Sequence, residues 1–351
     1  MEGRLMGADA TLAIGLAAAL DGLVGELPNR LHPVAYLGRL VRRNRVRADG
    51  GEVNATRDSG IVSDEFTSSL PYWLPPFVVM GLAVYGAILW NFFLSLTDSS
   101  GFGAPNYADL DFEMYAKAFA DPVFIGALRN TFALLVAFSV LCLVVGLVVA
   151  VLIDQGIRYE NTFRTIYLLP MALSFVVTAQ FWLWMYNQQN GLVNIILGVV
   201  GLGPYEWIGN PTLVLGAVVF ALIWQFSGYA MVVYLAGLRA IPTEQFEAAR
   251  VDGATTLRMY WRVIIPQLKG ATISASVVLM VFALKAFDFL YSLTGSYYPP
   301  KGSDILATMM VRQAFVANNR AYAAAIGIML FALALVVVAP YLLYQYRAGE
   351  L

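Results

Sequence analysis

Residues 247–254 of this chain read Glu-Ala-Ala-Arg-Val-Asp-Gly-Ala, and residues 263–266 read Val-Ile-Ile-Pro. This segment carries charged residues, is compatible with helix, and lies between two long apolar runs. A chain with that layout leaves the bilayer, becomes ordered in water and enters the bilayer again. We therefore expect residues 247–266 to form a structured loop between two membrane-spanning helices.

The composition indicates a membrane protein. The chain has 351 residues, of which 59% are hydrophobic and only 13% are charged, and its mean hydropathy is +0.68. Soluble domains carry about 25% charged residues. The formal net charge of −1 gives no reason to expect nucleic acid as a partner, because nucleic-acid binding needs a basic surface.

The sequence lacks the residues of several other functional classes. Cys142 and His32 are its single cysteine and its single histidine, which excludes an intrachain disulfide framework and a metal site made of several histidines. Neither G-x-x-x-x-G-K-[ST] nor G-x-G-x-x-G occurs, so the chain has no recognisable phosphate-binding loop. We expect no cofactor or metal held by this chain itself. If ATP drives its function, a partner chain binds the nucleotide.

Long apolar segments predict an all-α polytopic membrane protein. A bilayer core about 30 Å thick needs about 20 apolar residues in a helix. Six segments have that length: residues 73–96, 131–153, 165–186, 213–238, 271–294 and 321–344. A seventh, residues 11–25, is shorter and contains Asp21. We interpret it as a short interfacial or buried helix, with a membrane span as the alternative.

The distribution of Lys and Arg predicts the orientation of the spans. Arginines cluster before the first span, and Arg347 follows the last. The connection of residues 187–211 contains Glu206 and no Lys or Arg. The connection between the fourth and fifth spans is basic, with Arg239, Arg250, Arg258, Arg262 and Lys269. Both ends of the six-span core and the loop of residues 247–266 are therefore expected on the cytoplasmic side.

The sequence predicts that the chain has three parts. Residues 1–45 form a short N-terminal segment, and residues 71–351 form the transmembrane domain. Residues 46–70 between them are polar and contain several glycines, a composition typical of a flexible linker.

The loop itself predicts a short helix across the membrane axis. Pro242 ends the preceding helix, and Thr243 is positioned to cap the next one. Gly253 allows a sharp turn or a close backbone approach, Thr255 is positioned to cap a second helix, and Pro266 lies close to the membrane boundary. An ordinary amphipathic helix at the membrane surface, without a partner, is the alternative.

Several motifs together resemble the permease subunits of ABC importers, in the carbohydrate branch that includes maltose and glycerol-phosphate permeases. They are the Glu-Ala-Ala loop, Leu-Ala-Gly-Leu-Arg-Ala-Ile-Pro at residues 235–242, Asn-Thr at 130–131, Asn-Gly-Leu-Val-Asn at 190–194, Trp-Ile-Gly-Asn-Pro at 207–211 and Phe-Asp at 287–288. The resemblance covers about residues 70–346 and implies a six-helix permease core in a prokaryotic cell membrane.

The resemblance also implies function and partners. It implies that the chain is a transport subunit for a carbohydrate and not an enzyme. The implied partners are a second permease subunit, an extracellular substrate-binding protein, the surrounding membrane lipid and an ATPase dimer that binds ATP and Mg²⁺. The residues implied to couple this chain to the ATPase are Glu247, Ala248, Ala249, Asp252, Gly253 and Pro266. One loop departs from the family: residues 294–300 read Thr-Gly-Ser-Tyr-Tyr-Pro-Pro where a Thr-Gly-Gly-Gly-Pro run is usual.

Polar, charged and aromatic residues inside the spans are candidates for the translocation path. They are Trp224, Gln225, Tyr229 and Asp288. Lys285 and Asp288 are three residues apart and thus predicted on one helix face, either on that path or as a mutually neutralising pair. We interpret Trp182 and Trp184 as aromatic residues of the membrane interface.

The first 45 residues suggest an alternative function. Gly-Glu-Leu-Pro at residues 25–28 and His-Pro-Val at 32–34 resemble the start of the cobalamin-biosynthesis enzyme that makes adenosylcobinamide phosphate, where the glutamate is followed by two prolines. If the chain were that enzyme, His32 or Glu26 would matter for a corrinoid substrate. We predict that the segment has no enzymatic activity.

Overall fold

The computed structural model describes residues 58–156 and 158–348, which form helices and turns and contain no strand. The chain divides into two compact units, residues 1–79 and 80–351. The resemblance at residues 1–45 and the predicted short helix of residues 11–25 lie outside the described residues.

The first described helix, α1, spans Asp58–Ser95. It begins inside residues 46–70, the segment that the composition predicts to be a flexible linker, and residues 58–70 of that segment are helical. The helix continues from the polar residues into the apolar span, although Pro71, Pro75 and Pro76 lie inside it and have no N–H to donate. The proposed three-part division of the chain stays a prediction.

The unit of residues 80–351 contains twelve further α-helices in its described part. They are α2 Glu113–Ala120, α3 Pro122–Asp154, α4 Glu160–Leu168, α5 Phe175–Met185, α6 Leu192–Val199, α7 Val214–Arg239, α8 Thr243–Val251, α9 Thr256–Met259, α10 Lys269–Leu284, α11 Phe287–Thr294, α12 Leu306–Phe315 and α13 Arg320–Ala348.

Five helical stretches of the described residues are long and apolar enough to cross a membrane: Ser69–Ser95, Pro122–Asp154, Val214–Arg239, Thr256–Leu284 and Arg320–Pro340. The predicted third span, residues 165–186, is not one straight helix. It is a pair of segments, Glu160–Ala172 and Phe175–Met185, that bend by 99°. Counting the bent pair as one span gives the six predicted spans.

The bend has a local cause. Pro170 has no N–H for helical bonding, and the chain tightens into a 3₁₀ turn over Leu169–Ala172. Ser174 then accepts a hydrogen bond from the Val177 N–H and caps the new helix. An apolar run alone cannot reveal such a break.

The predicted fifth span, residues 271–294, is also interrupted. Helix α10 ends at Leu284 and α11 begins at Phe287, so Lys285 and Asp288 lie on different helices. The expected shared helix face is therefore wrong. Both side chains are exposed in this chain, and within the described residues they form no ion pair with each other.

Helices α3 and α7 form the centre of the bundle. Phe138 and Phe226 pack edge to face with ring centroids 5.9 Å apart. Gly146 lets the two helices approach closely, since a Cβ atom there would lie 2.5 Å from the Ala230 Cβ. Small residues allow this kind of contact between helices in membranes.

Candidate coupling loop and translocation site

The predicted short helix is α8, which begins at Thr243, before the loop of residues 247–266, and ends inside that loop at Val251. Its first helical residue is Thr243, and Pro242 occupies the N-cap position with no side-chain hydrogen bond. The predicted capping role of Thr243 is therefore wrong by one position. Glu244 lies in the first turn, where the helix dipole favours negative charge.

Gly253 makes the sharp turn that ends α8. Its φ is +74°, and its N–H donates to the Arg250 carbonyl at 3.0 Å. The next N–H, of Ala254, donates to the Ala249 carbonyl at 3.0 Å. A Cβ atom at residue 253 would meet nothing within 4 Å. The backbone conformation thus favours glycine, and no close approach to another described residue requires it.

The Glu-Ala-Ala triplet divides between the two sides of α8. Glu247 and Ala248 are exposed, as is Asp252, whereas Ala249 is buried against the chain. Three apolar side chains that we did not predict are also strongly exposed nearby: Val251 (87%), Leu257 (79%) and Trp261 (71%). Their apolar character in a charged loop was the available signal.

Pro266 lies in a continuous helical segment that leads into α10. The Thr255 side chain accepts a hydrogen bond from the Arg258 N–H, which confirms its predicted capping role. A π-helical turn then covers Tyr260–Ile264 and a 3₁₀ turn covers Ile265–Leu268. Because Pro266 has no N–H, the usual helical ladder is interrupted at this point.

Gln225 is buried in α7, with 2% of its surface exposed. Its Nε2 donates to the Leu173 carbonyl at 2.8 Å, and its Oε1 is buried without a partner among the described residues. A carbonyl at a helix break needs a donor when it is remote from water. Gln225 therefore holds the bend of the third span against α7.

Trp224, beside it, is half-buried, as is Tyr229. The Trp224 ring stacks on Phe181 with centroids 5.6 Å apart and lines a cavity of about 430 Å³. Trp182 is 4% exposed and belongs to the core, so its assignment to the membrane interface is wrong. Trp184 is 77% exposed.

The two broken spans meet. The Phe175 ring, just after the first break, lies 6.4 Å from the Phe282 ring and 6.4 Å from the Phe289 ring, which flank the second break. Gln180 Nε2 donates to the Ser292 carbonyl at 2.6 Å. The structure thus joins α5 to α11, and the exposed Asp288 lies on α11. No hydrogen bond joins Asp288 to Trp224 or Gln225 in the described part of the chain.

An aromatic group adjoins Asp288 that we did not predict. Phe287 stacks on Tyr291 with centroids 5.7 Å apart, and Tyr291 lies 4.6 Å from Tyr297. A side-chain hydrogen bond with Tyr291 raises the pKa of Tyr297 above its ordinary value, so the phenol stays neutral. The spacing of Phe287 and Tyr291, one helical turn apart, was the available signal.

Two connections between helices are held by buried polar side chains. Asn194 Oδ1 accepts from the Tyr205 N–H at 3.1 Å and from Trp207 Nε1 at 2.9 Å. In the loop that departs from the family pattern, Arg312 donates to the Tyr297 carbonyl at 3.0 Å and pairs with Asp304 at 2.8 Å. These bonds give both loops defined positions.

One group of carboxylates has the spacing of a metal site. Asp98, Asp111 and Glu113 bring oxygens within 4.8 Å of one another, and all three are exposed. Exposed acidic groups are common without an ion, and we assign no metal to this one.

Comparison with known proteins decides the family. Residues 142–347, well over half of the chain, match the family described as "Binding-protein-dependent transport system inner membrane component". The chain belongs to this family.

Curated relatives of the permease support that assignment over most of its length. It is 58% identical to the xylose/arabinose import permease protein XacH of Haloferax volcanii, over 83% of this chain and 92% of the relative. It is 45% identical to a probable ABC transporter permease protein of Pyrococcus horikoshii, over 80% of this chain and 98% of the relative.

The fold matches a solved permease as well. The structure of a bacterial ABC transporter that imports the acidic polysaccharide alginate aligns with a TM-score of 0.69 at 22% identity, covering 82% of this chain and 98% of that one. This similarity confirms the expected all-α importer permease fold.

The family assignment settles the class of function. The permease is a multi-pass cell-membrane protein and a transport subunit, working with a substrate-binding protein, a second permease and a separate ATPase chain. Permease subunits of this kind carry no cofactor. The alternative of a cobalamin enzyme receives no support from these relatives.

Proposed function

We propose that this chain forms, together with a second permease subunit, the translocation path for a small carbohydrate. The observation that carries the proposal is the 58% identity, over 83% of the chain, to a permease named for xylose and arabinose. More distant relatives are named for other sugars, such as the diacetylchitobiose permease protein of Streptomyces coelicolor at 30% identity over 88% of this chain. Sugars are thus the shared substrate class.

Transport of labelled sugars by the reconstituted complex tests this proposal. This chain, its partner permease, the ATPase and the binding protein in proteoliposomes are expected to accumulate a pentose or another small sugar only when ATP and Mg²⁺ are supplied. Uptake without ATP serves as the control. Accumulation of amino acids or oligopeptides, with no sugar of a broad panel taken up, would contradict the proposal.

The meeting point of the two broken spans is the proposed sugar path. A charge facing lipid at the bilayer centre costs about 3 kcal/mol, so the exposed Lys285 and Asp288 face water or a partner subunit in the assembled transporter. Irregular backbone at membrane depth is tolerated where it lines such a cavity. The carboxylate of Asp288 accepts hydrogen bonds from sugar hydroxyls, and the rings of Phe287 and Tyr291 offer apolar faces to the sugar.

The residues of α7 have supporting roles in this proposal. Trp224 and Tyr229 are half-buried and border the path beside the first break. Gln225 is buried and bonded to Leu173, so it shapes the path by holding the break and does not contact the sugar in this conformation.

The Asp288→Asn substitution is expected to raise the KM for sugar uptake about tenfold to a hundredfold. It keeps the size of the side chain and removes the charge, and a hydrogen bond to a charged group contributes about 1.5 to 3 kcal/mol. Uptake kinetics of the reconstituted complex measure the effect. The exposed carboxylate of Asp98, which follows the end of α1, provides the control variant, Asp98→Asn. An unchanged KM for Asp288→Asn would exclude a charge-assisted hydrogen bond between this carboxylate and the sugar.

We further propose that the loop of residues 247–266 couples the permease to the ATPase, which binds ATP and Mg²⁺. Glu247, Ala248 and Asp252 are exposed and available to a docked protein. Ala249, Gly253 and Pro266 give the loop its shape: Ala249 packs inward, Gly253 makes the turn, and Pro266 lies where the loop joins the membrane helix. The exposed Val251, Leu257 and Trp261 extend the apolar area of the proposed docking face.

A further inference from the structure

One hydrogen bond joins the coupling loop directly to the second span. The Tyr260 hydroxyl donates to Asp154 Oδ2 at 2.7 Å, across 106 residues of sequence. Asp154 is the last residue of α3, and Tyr260 is the first residue of the π-helical turn behind α9. The Tyr260 side chain is buried, with 6% of the residue exposed.

The same ring also contacts the coupling helix. Tyr260 packs edge to face against Phe246 of α8, with centroids 6.2 Å apart. On the neighbouring residue of α8, Gln245 accepts a hydrogen bond from Gln267 Nε2 at 2.6 Å. Tyr260 lies in the helical segment that leads into the next span, and its side chain contacts two other elements: the coupling helix α8 and the end of α3.

The position of this bond on α3 gives it mechanical consequence. Helix α3 has 33 residues and is about 50 Å long at 1.5 Å per residue. It packs along the central helix α7, which carries Trp224 and Gln225. A displacement of Asp154 therefore tilts the whole of α3, which borders the proposed path.

We propose that the bond between Tyr260 and Asp154 is a mechanical link that makes α3 follow the movement of the coupling helix. Both residues are positioning residues that act through the helices they join. The proposal rests on the proposed coupling role of the loop and deepens it. It names the bond that transmits movement from the loop to α3, a span that is distant in sequence.

Parallel measurement of sugar uptake and ATP hydrolysis tests the link. The complete complex carrying Tyr260→Phe, which removes only the hydroxyl and keeps the ring on Phe246, is assayed in proteoliposomes with its binding protein. We expect uptake to fall about fivefold or more while ATP hydrolysis stays within about twofold of the wild type, so that fewer sugars move per ATP. Asp154→Ala is expected to show the same loss, and combining both substitutions should add nothing further.

A matched bond at the other end of α3 provides the control. The Tyr322 hydroxyl donates to Asp121 Oδ2 at 3.1 Å, and Asp121 caps the start of α3. The Tyr322→Phe variant loses the same chemical bond to the same helix without touching the coupling loop, so its ratio of uptake to ATP hydrolysis is expected to be unchanged.

Three outcomes would overturn the link: an unchanged ratio in Tyr260→Phe, an equal fall of both activities accompanied by lower thermal stability, or the same altered ratio in Tyr322→Phe. Failure of the proposed function is distinguishable, because the wild-type complex itself would then take up no sugar or fail to retain the ATPase.

Discussion

Replacing Gly253 with valine is expected to lower sugar uptake at least tenfold. The residue has a φ of +74°, a left-handed conformation that costs an ordinary L-residue about 1 to 2 kcal/mol and a β-branched one more. The turn places the Ala254 N–H on the Ala249 carbonyl. A valine would shift the backbone out of this region and would change the angle between α8 and α9. Both helices belong to the segment that is proposed to couple the permease to the ATPase.

Gly253→Asn is the matched control, because asparagine tolerates the left-handed conformation. Uptake and co-purification of the ATPase are measured for both variants. We expect Gly253→Asn to retain most of the uptake, since a Cβ atom at this position meets nothing within 4 Å in this chain. Wild-type uptake in Gly253→Val would show that the turn is not needed. If both variants lose the ATPase, the docked protein requires that residue 253 has no side chain, whatever the backbone conformation.

The second large effect is expected at the crossing of α3 and α7. In Gly146→Val, the new Cβ atom would lie 2.5 Å from the Ala230 Cβ and 2.8 Å from the Met231 nitrogen. Backbone atoms of the neighbouring helix cannot rotate away, so the helices must separate. Overpacking of this kind typically costs about 1 to 3 kcal/mol, and here it acts at the centre of the bundle.

Thermal unfolding of the purified protein in detergent measures this loss, and the variant should also elute in aggregated form on size exclusion. Gly216→Val on α7 is the control, because its Cβ atom would meet nothing within 4 Å. It places the same side chain in a membrane helix without a clash. Equal stability of the two valine variants would mean that α3 and α7 can move apart freely.

The regular part of the fold follows from local sequence. A run of apolar residues long enough to cross the bilayer predicts a helix wherever it occurs, and this places α3, α7 and the last span correctly. The turn at Gly253 can also be predicted from local sequence, because a glycine commonly ends a short helix. The capping role of Thr255 was predictable for the same reason.

The breaks in the third and fifth spans did not follow from apolar length. By hydropathy, residues 165–186 and residues 271–294 each form one continuous apolar segment. The structure breaks the first segment near Phe175 and the second near Lys285. For this reason the pairing of Lys285 with Asp288 was wrong, and the aromatic group beside Asp288 was overlooked. Trp182 was misplaced similarly, because residues from α7 decide its burial.

The sequence by itself determined that this protein lies in a membrane, that its coupling loop carries a glycine turn, and which family it resembles. These properties depend on transfer of apolar residues into lipid and on short-range backbone conformation. Only the tertiary structure decided which polar groups at the breaks are already bonded. At a break, backbone groups need partners away from water, and those partners come from distant residues: Gln225 serves Leu173, and Gln180 serves Ser292. Such pairing depends on how helices pack, which no local pattern contains.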